Sequence, residues 1–101
     1  MKRVIVKYGI PSDPVSFNNH YVSIHVPLVN KMPFIKSFEY SCGSITSSDQ
    51  DANYQLIAIL SYDSQDELDK SLNSSEGQAA VADLENFATG GVEIITIEIA
   101  P

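Results

Sequence analysis

The residues best suited to chemistry lie in one short stretch, where Tyr21 and His25 precede Pro27. An imidazole titrates near neutral pH and can remove a proton beside a carbonyl or phenol, an effect typically worth ~10² to 10⁴ in rate. His25 is therefore the candidate general base. Tyr21 stands one turn earlier and about 40° round a helix, close enough to hold a substrate oxygen. Pro27 has no N–H for the Ser23 carbonyl and its ring crowds that group, so the helix is expected to kink or break within His25 to Leu28. The bland alternative for His25 is a polar residue tying down the carbonyls that Pro27 frees.

Other reactive side chains are weaker candidates. His20 falls about 140° from His25 on a regular helix, on the opposite flank of the apolar stripe, so the two are predicted not to share a metal. It is read as structural or solvated. Asp83, in a run of small and apolar residues, is either a solvated carboxylate or a partner that orients a histidine or arginine. Phe38 and Tyr40 share one face of a strand and join Tyr21 as substrate-binding candidates, since a tyrosine offers apolar area and one hydrogen bond. Cys42 is the only cysteine; it can form no intrachain disulfide and is expected to be a small buried hydrophobe. Phosphate loops, paired-carboxylate motifs, nucleophile elbows and Cys/His metal clusters are all missing from the sequence, so no metal ligands are assigned.

The elements that must position these residues follow from periodicity. Arg3 to Tyr8 alternates as a strand. A long helix is expected from Ser12 to Met32, capped by Asp13, with Phe17, Tyr21, Ile24, Leu28 and Met32 as its packing stripe. Ile35 to Ser44 reads as a second strand and 45–53 as an exposed loop. Tyr54 to Tyr62 is an apolar run typical of a central strand. Ser64 and Glu67 have capping-box spacing before a helix anchored by Leu68 and Leu72. Ser75 and Gln78 repeat that spacing before one carrying Ala80, Val81, Leu84 and Phe87. Val92 to Ile99 closes the chain as a strand. The order βαββαβ specifies an α+β ferredoxin-like sandwich: a four-stranded antiparallel sheet with two helices on one face.

At 101 residues with 44% hydrophobic content, the chain fits one domain spanning 1–101. A formal charge of −7 and the lack of a basic stripe argue against nucleic acid. No run approaches the ~18 apolar residues of a membrane helix, and the N-terminal apolar run is too short for a secretory signal, so a cytoplasmic protein is expected. Ile5, Ile57, Ile59, Ile95 and Ile97 leave the second sheet face apolar. With no residues left to cover it, a homodimer pairing through the sheets is predicted.

The stretch F-x-x-x-Y-x-x-x-H-x-P-L from Phe17 to Leu28, the Tyr8-Gly9 strand end and SSEGQAAVADLENF from Ser74 to Phe87 resemble the EthD-like family of the dimeric α+β barrel superfamily. The resemblance covers almost the whole length. It implies a ferredoxin-like subunit that pairs into a barrel, with a small-molecule pocket between sheet and helices. Related barrels include cofactor-free monooxygenases, polyketide cyclases, isomerases and haem-degrading enzymes, so the fold alone does not choose a reaction. The favoured expectation is a cofactor-independent lyase, isomerase or oxygenase acting on a small aromatic or polyketide-like metabolite, with His25 as base. The alternatives are a carrier that holds a hydrophobic metabolite for a partner oxygenase and, more weakly, a haem protein with His25 as axial ligand.

Overall fold

The computed structural model describes residues 1–101. Strand β1 (Lys2–Gly9) buries Val4, Val6 and Tyr8 on one side and leaves Ile5 and Lys7 half-buried on the other. The chain then enters α1 (Pro14–His20), whose first turn is closed by Asp13: its Oδ1 accepts from the Val15 and Ser16 N–H groups at 3.1 Å each. Proline at the first helical position loses no hydrogen bond there.

The helix does not break at Pro27. It widens instead into a π turn over Tyr21–His25, with the Val26 N–H bonded to the Tyr21 carbonyl five residues back, and continues as α2 (Val26–Asn30). Two causes coincide. Pro27 supplies no N–H to Ser23, so the ladder can shift register there. Burial also demands the shift: from Tyr21 to Val29, eight residues of α-helix would leave the side chains about 80° out of line, and one extra residue in the turn restores the face. The buried stripe is accordingly Phe17, Tyr21, His25, Val29 and Met32, while Ile24, expected inside, is 48% exposed and Leu28 only half-buried.

Strand β2 (Ser37–Tyr40) is shorter than the expected Ile35 to Ser44, although Lys36 and Ser41 each add one hydrogen bond to the neighbouring strand. Phe34 has φ 70° before it and Gly43 φ 77° after it, and these left-handed residues end the extended run. Cys42 lies just outside the sheet and is exposed, which corrects its expected burial. Strand β3 (Tyr54–Tyr62) matches expectation and is central, buried on its helix side at Leu56, Ala58, Leu60 and Tyr62.

Helix α3 (Gln65–Asn73) is capped by Ser64, whose Oγ accepts from the Glu67 N–H at 3.2 Å. Helix α4 (Ser75–Phe87) is capped one residue earlier than predicted: Ser74 Oγ, not Ser75, accepts from the Gly77 N–H at 3.0 Å. A Cβ at Gly77 would sit 2.1 Å from the Ser71 carbonyl oxygen, so only glycine lets α4 start against the end of α3. Leu68 is buried, but Leu72 is exposed rather than anchoring the helix, and so is Val81 on α4. Strand β4 (Val92–Glu98) completes an antiparallel sheet of order β2-β3-β1-β4.

The fold is thus the ferredoxin-like α+β sandwich. On the covered face the strand side chains meet Phe17, Tyr21, Val29, Leu68, Ala80 and Phe87 in one core. On the other face, register places Ile5 between Ile59 and Ile95, with Ile57 opposite Lys7 and Ile97 opposite Arg3. No helix lies over that apolar patch.

Candidate functional site

Between the sheet and the helices lies a cavity of about 170 Å³. Its inner wall is made by Val4, Val6 and Tyr8 of β1, Ala58 and Leu60 of β3 and Phe38 of β2. Tyr21, His25 and Val29 close it from the long helix and Ala80 and Leu84 from α4. Leu72, Val81 and Ile94, all exposed, mark its mouth. Fifteen of its 17 lining residues are hydrophobic, and none is lysine or arginine. Such a space accepts flat, uncharged, largely apolar matter, in the size range of an engineered cavity known to hold benzene.

The sequence candidates fall unequally around it. His25 and Tyr21 line it together, their rings 5.3 Å apart, and Phe38 joins them. Tyr40 does not reach the cavity: it is 41% exposed and stands behind Tyr21 and Phe38, at 5.3 and 5.5 Å. Tyr8 was not singled out from the sequence, yet it reaches the same space, its ring edge-on to that of Tyr21 at 5.6 Å. Burial raises the pKa of both phenols, so each remains a neutral donor at physiological pH.

Behind His25 is a carboxylate. Asp83 Oδ2 lies 3.0 Å from His25 Nδ1, and His20 Nε2 lies 2.9 Å from Oδ1 and 3.0 Å from Oδ2 of the same group. Asn86 Nδ2 donates to Oδ1 at 3.0 Å. The predicted separation of the two histidines is therefore corrected, because five residues span nearly one turn across the π segment instead of 140° beyond one. Asp83 is buried beside His25 rather than solvated. Helix α4 supplies both Asp83 and, four residues later on the same face, Phe87, whose ring lies 5.0 Å from that of His20 and 4.8 Å from that of His25.

An ionised carboxylate only accepts hydrogen bonds, so both imidazoles present N–H to Asp83. For His25 this fixes Nδ1–H and leaves Nε2 as the nitrogen free for a ligand. Burial lowers the His25 pKa more than Asp83 raises it, keeping the ring neutral at pH 7 and able to accept a proton. Burial alone would raise the Asp83 pKa, but the bonds from Asn86, His20 and His25 outweigh it and hold the carboxyl below its ordinary range. Although three side chains of metal-ligating type meet here, no group of three or more in the structure is arranged to hold a metal ion.

A family model for the EthD domain matches residues 11–91, which hold the π turn, both histidines, Asp83 and most of the cavity wall. The chain belongs to the EthD family. Its sequence is 41% identical over 96 residues to an uncharacterised 11.0 kDa protein in the thcB-thcC intergenic region of Rhodococcus erythropolis, covering 94% of this chain and 91% of that one. An ethyl tert-butyl ether (EthD) family protein from Bacillus halodurans C-125 superposes with TM-score 0.87 at 26% identity, covering 99% of both chains. The EthD fold extends further. A dimeric ferredoxin-like protein of unknown function from Thermobifida fusca matches with TM-score 0.72 at 11% identity, over 97% of this chain and 90% of that one. SnoaB, a cofactor-independent oxygenase from Streptomyces nogalater, matches with TM-score 0.69 at 12% identity, over 99% and 93%.

Two residues of this EthD site left only faint traces in the sequence. Asp83 and Phe87 share a helical face, and the five-residue spacing of His20 and His25 before a proline is the spacing of a π turn. Tyr8 carried no trace beyond its place at a strand end.

Proposed function

We propose that this EthD protein is a cofactor-independent enzyme that removes a proton from a small, uncharged aromatic or polyketide-like compound, with His25 as the general base. The observation that carries this reading is the His25 ring itself, set in the wall of an apolar cavity with Nδ1 held by a buried carboxylate and Nε2 left for the ligand. A flat ring system enters past Leu72, Val81 and Ile94 and packs against Phe38 and Leu60. Its acidic C–H or O–H meets His25 Nε2, and the electron pair left behind is stabilised on an oxygen that accepts from Tyr8 or Tyr21. The absence of lysine and arginine from the lining, with a chain charge of −7, disfavours carboxylates and phosphates. Likeness in fold to an oxygenase that needs no cofactor supports an oxygenase step after deprotonation, in which the carbanion reacts with dioxygen. The working unit is a homodimer joined through the Ile5, Ile59 and Ile95 face, as the dimeric fold relative suggests.

The test begins with binding. Neutral hydroxylated aromatics of one to three rings are titrated against the protein's tyrosine fluorescence, which no tryptophan masks. Compounds that bind are then assayed for oxygen uptake and for solvent deuterium entering the ring. His25→Gln should cut turnover by ~10² to 10⁴ while changing Kd by less than about tenfold. Turnover undiminished in the variant would remove His25 from the chemistry. Tight binding with no conversion by the wild type would mark a carrier instead.

A further inference from the structure

The three-residue cluster behind the cavity does more than orient one ring. His25 faces the apolar cavity, whereas His20 faces a separate polar cleft on the outer side, lined by Ser12, Asp13, Ser16, Asn86 and Thr89. The His20 side chain is 21% exposed, against 6% for both Asp83 and His25. One oxygen, Asp83 Oδ2, is 3.0 Å from both imidazoles. The carboxylate thus stands in the wall between two compartments, with one titratable ring opening on each.

We propose that His20, Asp83 and His25 form a two-sided proton site, in which a single positive charge opposite Asp83 is shared between a ring on the cavity and a ring on the outer cleft. The proposal rests on His25 acting as the base and adds a role for His20. One carboxylate offsets one imidazolium; a second, within a few ångströms of the first, meets like-charge repulsion in a partly dry site. When the ligand's X–H bond breaks, its electron pair stays on X and an N–H forms at His25 Nε2. In this scheme the shared charge rests until then on His20, whose imidazolium loses its cleft-side N–H proton to water in turn and becomes neutral. The cluster's net charge is unchanged. No proton need cross Oδ2, which already accepts N–H from both sides, and charge is balanced from the outer cleft while the ligand fills the cavity.

Few other groups compete. Tyr21 on the same π turn and Tyr8 of β1 share the wall with His25 but are kept neutral by burial, and Asp13 faces His20 across the cleft. At His25 burial lowers the pKa most, Asp83 raises it, and the charge of His20 adds a smaller lowering. His20 is a positioning residue in this scheme, since it acts on the ligand only through Asp83 and His25.

The test needs no ligand. Full-length protein labelled with ¹⁵N-histidine is followed by long-range ¹H–¹⁵N correlation from pH 5 to 9. In the wild type the His25 ring should titrate in two steps, the signature of coupled sites. In His20→Gln, whose amide can keep an N–H on Asp83, it should titrate in one step with a higher midpoint and retain its Nδ1–H. Asp83→Asn should move the midpoint down and abolish the preference for Nδ1–H. A His25 curve that superposes in wild type and His20→Gln overturns the proposal. Should the variant fail to fold, the wild-type curve decides alone: a shared charge leaves His25 only partly protonated after the first step, and a single step of full amplitude is incompatible with it. His25 can fail as a base in turnover assays without altering these curves, so the two failures are distinguishable.

Discussion

Asp83 shows how much a single side chain can organise. Its two oxygens take four N–H contacts, from His20 twice, His25 and Asn86, and these keep a buried carboxylate ionised at neutral pH. The pH dependence of stability follows with a definite sign. His25 has a pKa below its ordinary 6.5, so below that pH the unfolded chain binds a proton that the folded one resists, and stability falls as pH drops. Asp83, also lowered, acts in the same sense at lower pH: its contribution is present above the ordinary 3.8 and is lost as pH falls through the folded value. Thermal unfolding by circular dichroism should therefore show Tm declining from pH 7.5 to 5, and His25→Gln should flatten that slope. An equally steep decline in the variant would place the acid sensitivity elsewhere. His25 and Tyr21 were legible as neighbours because their spacing is local. Asp83 was legible only as one of two alternatives, a solvated carboxylate or a partner that orients a histidine or arginine, since its partners lie 58 and 63 positions away.

At the scale of the element, the π turn is the decisive feature. Without it, either Phe17 and Tyr21 or Val29 and Met32 would swing out of the core, each large side chain forfeiting about 1.5–3 kcal/mol of burial. Restoring a regular ladder would regain a net ~1 kcal/mol for one hydrogen bond. Burial wins, so Pro27→Ala should keep the π turn even though the N–H becomes available. The expected outcome is a small rise or no change in Tm, with the His25 Nδ1–H resonance still present. Loss of that resonance would mean that proline, rather than the core, holds the turn. The irregularity is expected within His25 to Leu28 but lies mostly before it, over Tyr21–His25. A proline reveals a missing donor, whereas the direction in which the ladder shifts depends on which side chains the sheet will accept. The caps were read more closely: Asp13 and Ser64 are as expected, and Ser74 displaces Ser75 by one position because Gly77 must meet Ser71.

For the molecule as a whole, the open question posed by the fold is its second sheet face. Ile5, Ile57, Ile59, Ile95 and Ile97 form one patch by register, with Ile97 still 38% exposed and the others half-buried. A second copy laid on it would bury ~800 Å² per partner in an ordinary stable interface. Sedimentation at micromolar concentration should give twice the 11.1 kDa chain mass, and Ile59→Glu, which forces a charge into the patch, should give a single chain of that mass with unchanged far-ultraviolet dichroism. A wild type sedimenting as one chain would defeat the dimer. By itself the sequence determined the strand and helix order, the central position of β3, the caps at Asp13 and Ser64 and the resemblance to EthD, because these depend on periodicity and on contacts a few residues apart. Only the tertiary structure decided that His20 and His25 converge on one carboxylate, that Tyr8 enters the cavity and Tyr40 stays outside, and that Leu72 and Val81 guard a mouth. Those outcomes depend on how α4 lies against the long helix, and a helix pair separated by half the chain leaves no local pattern from which that angle could be read.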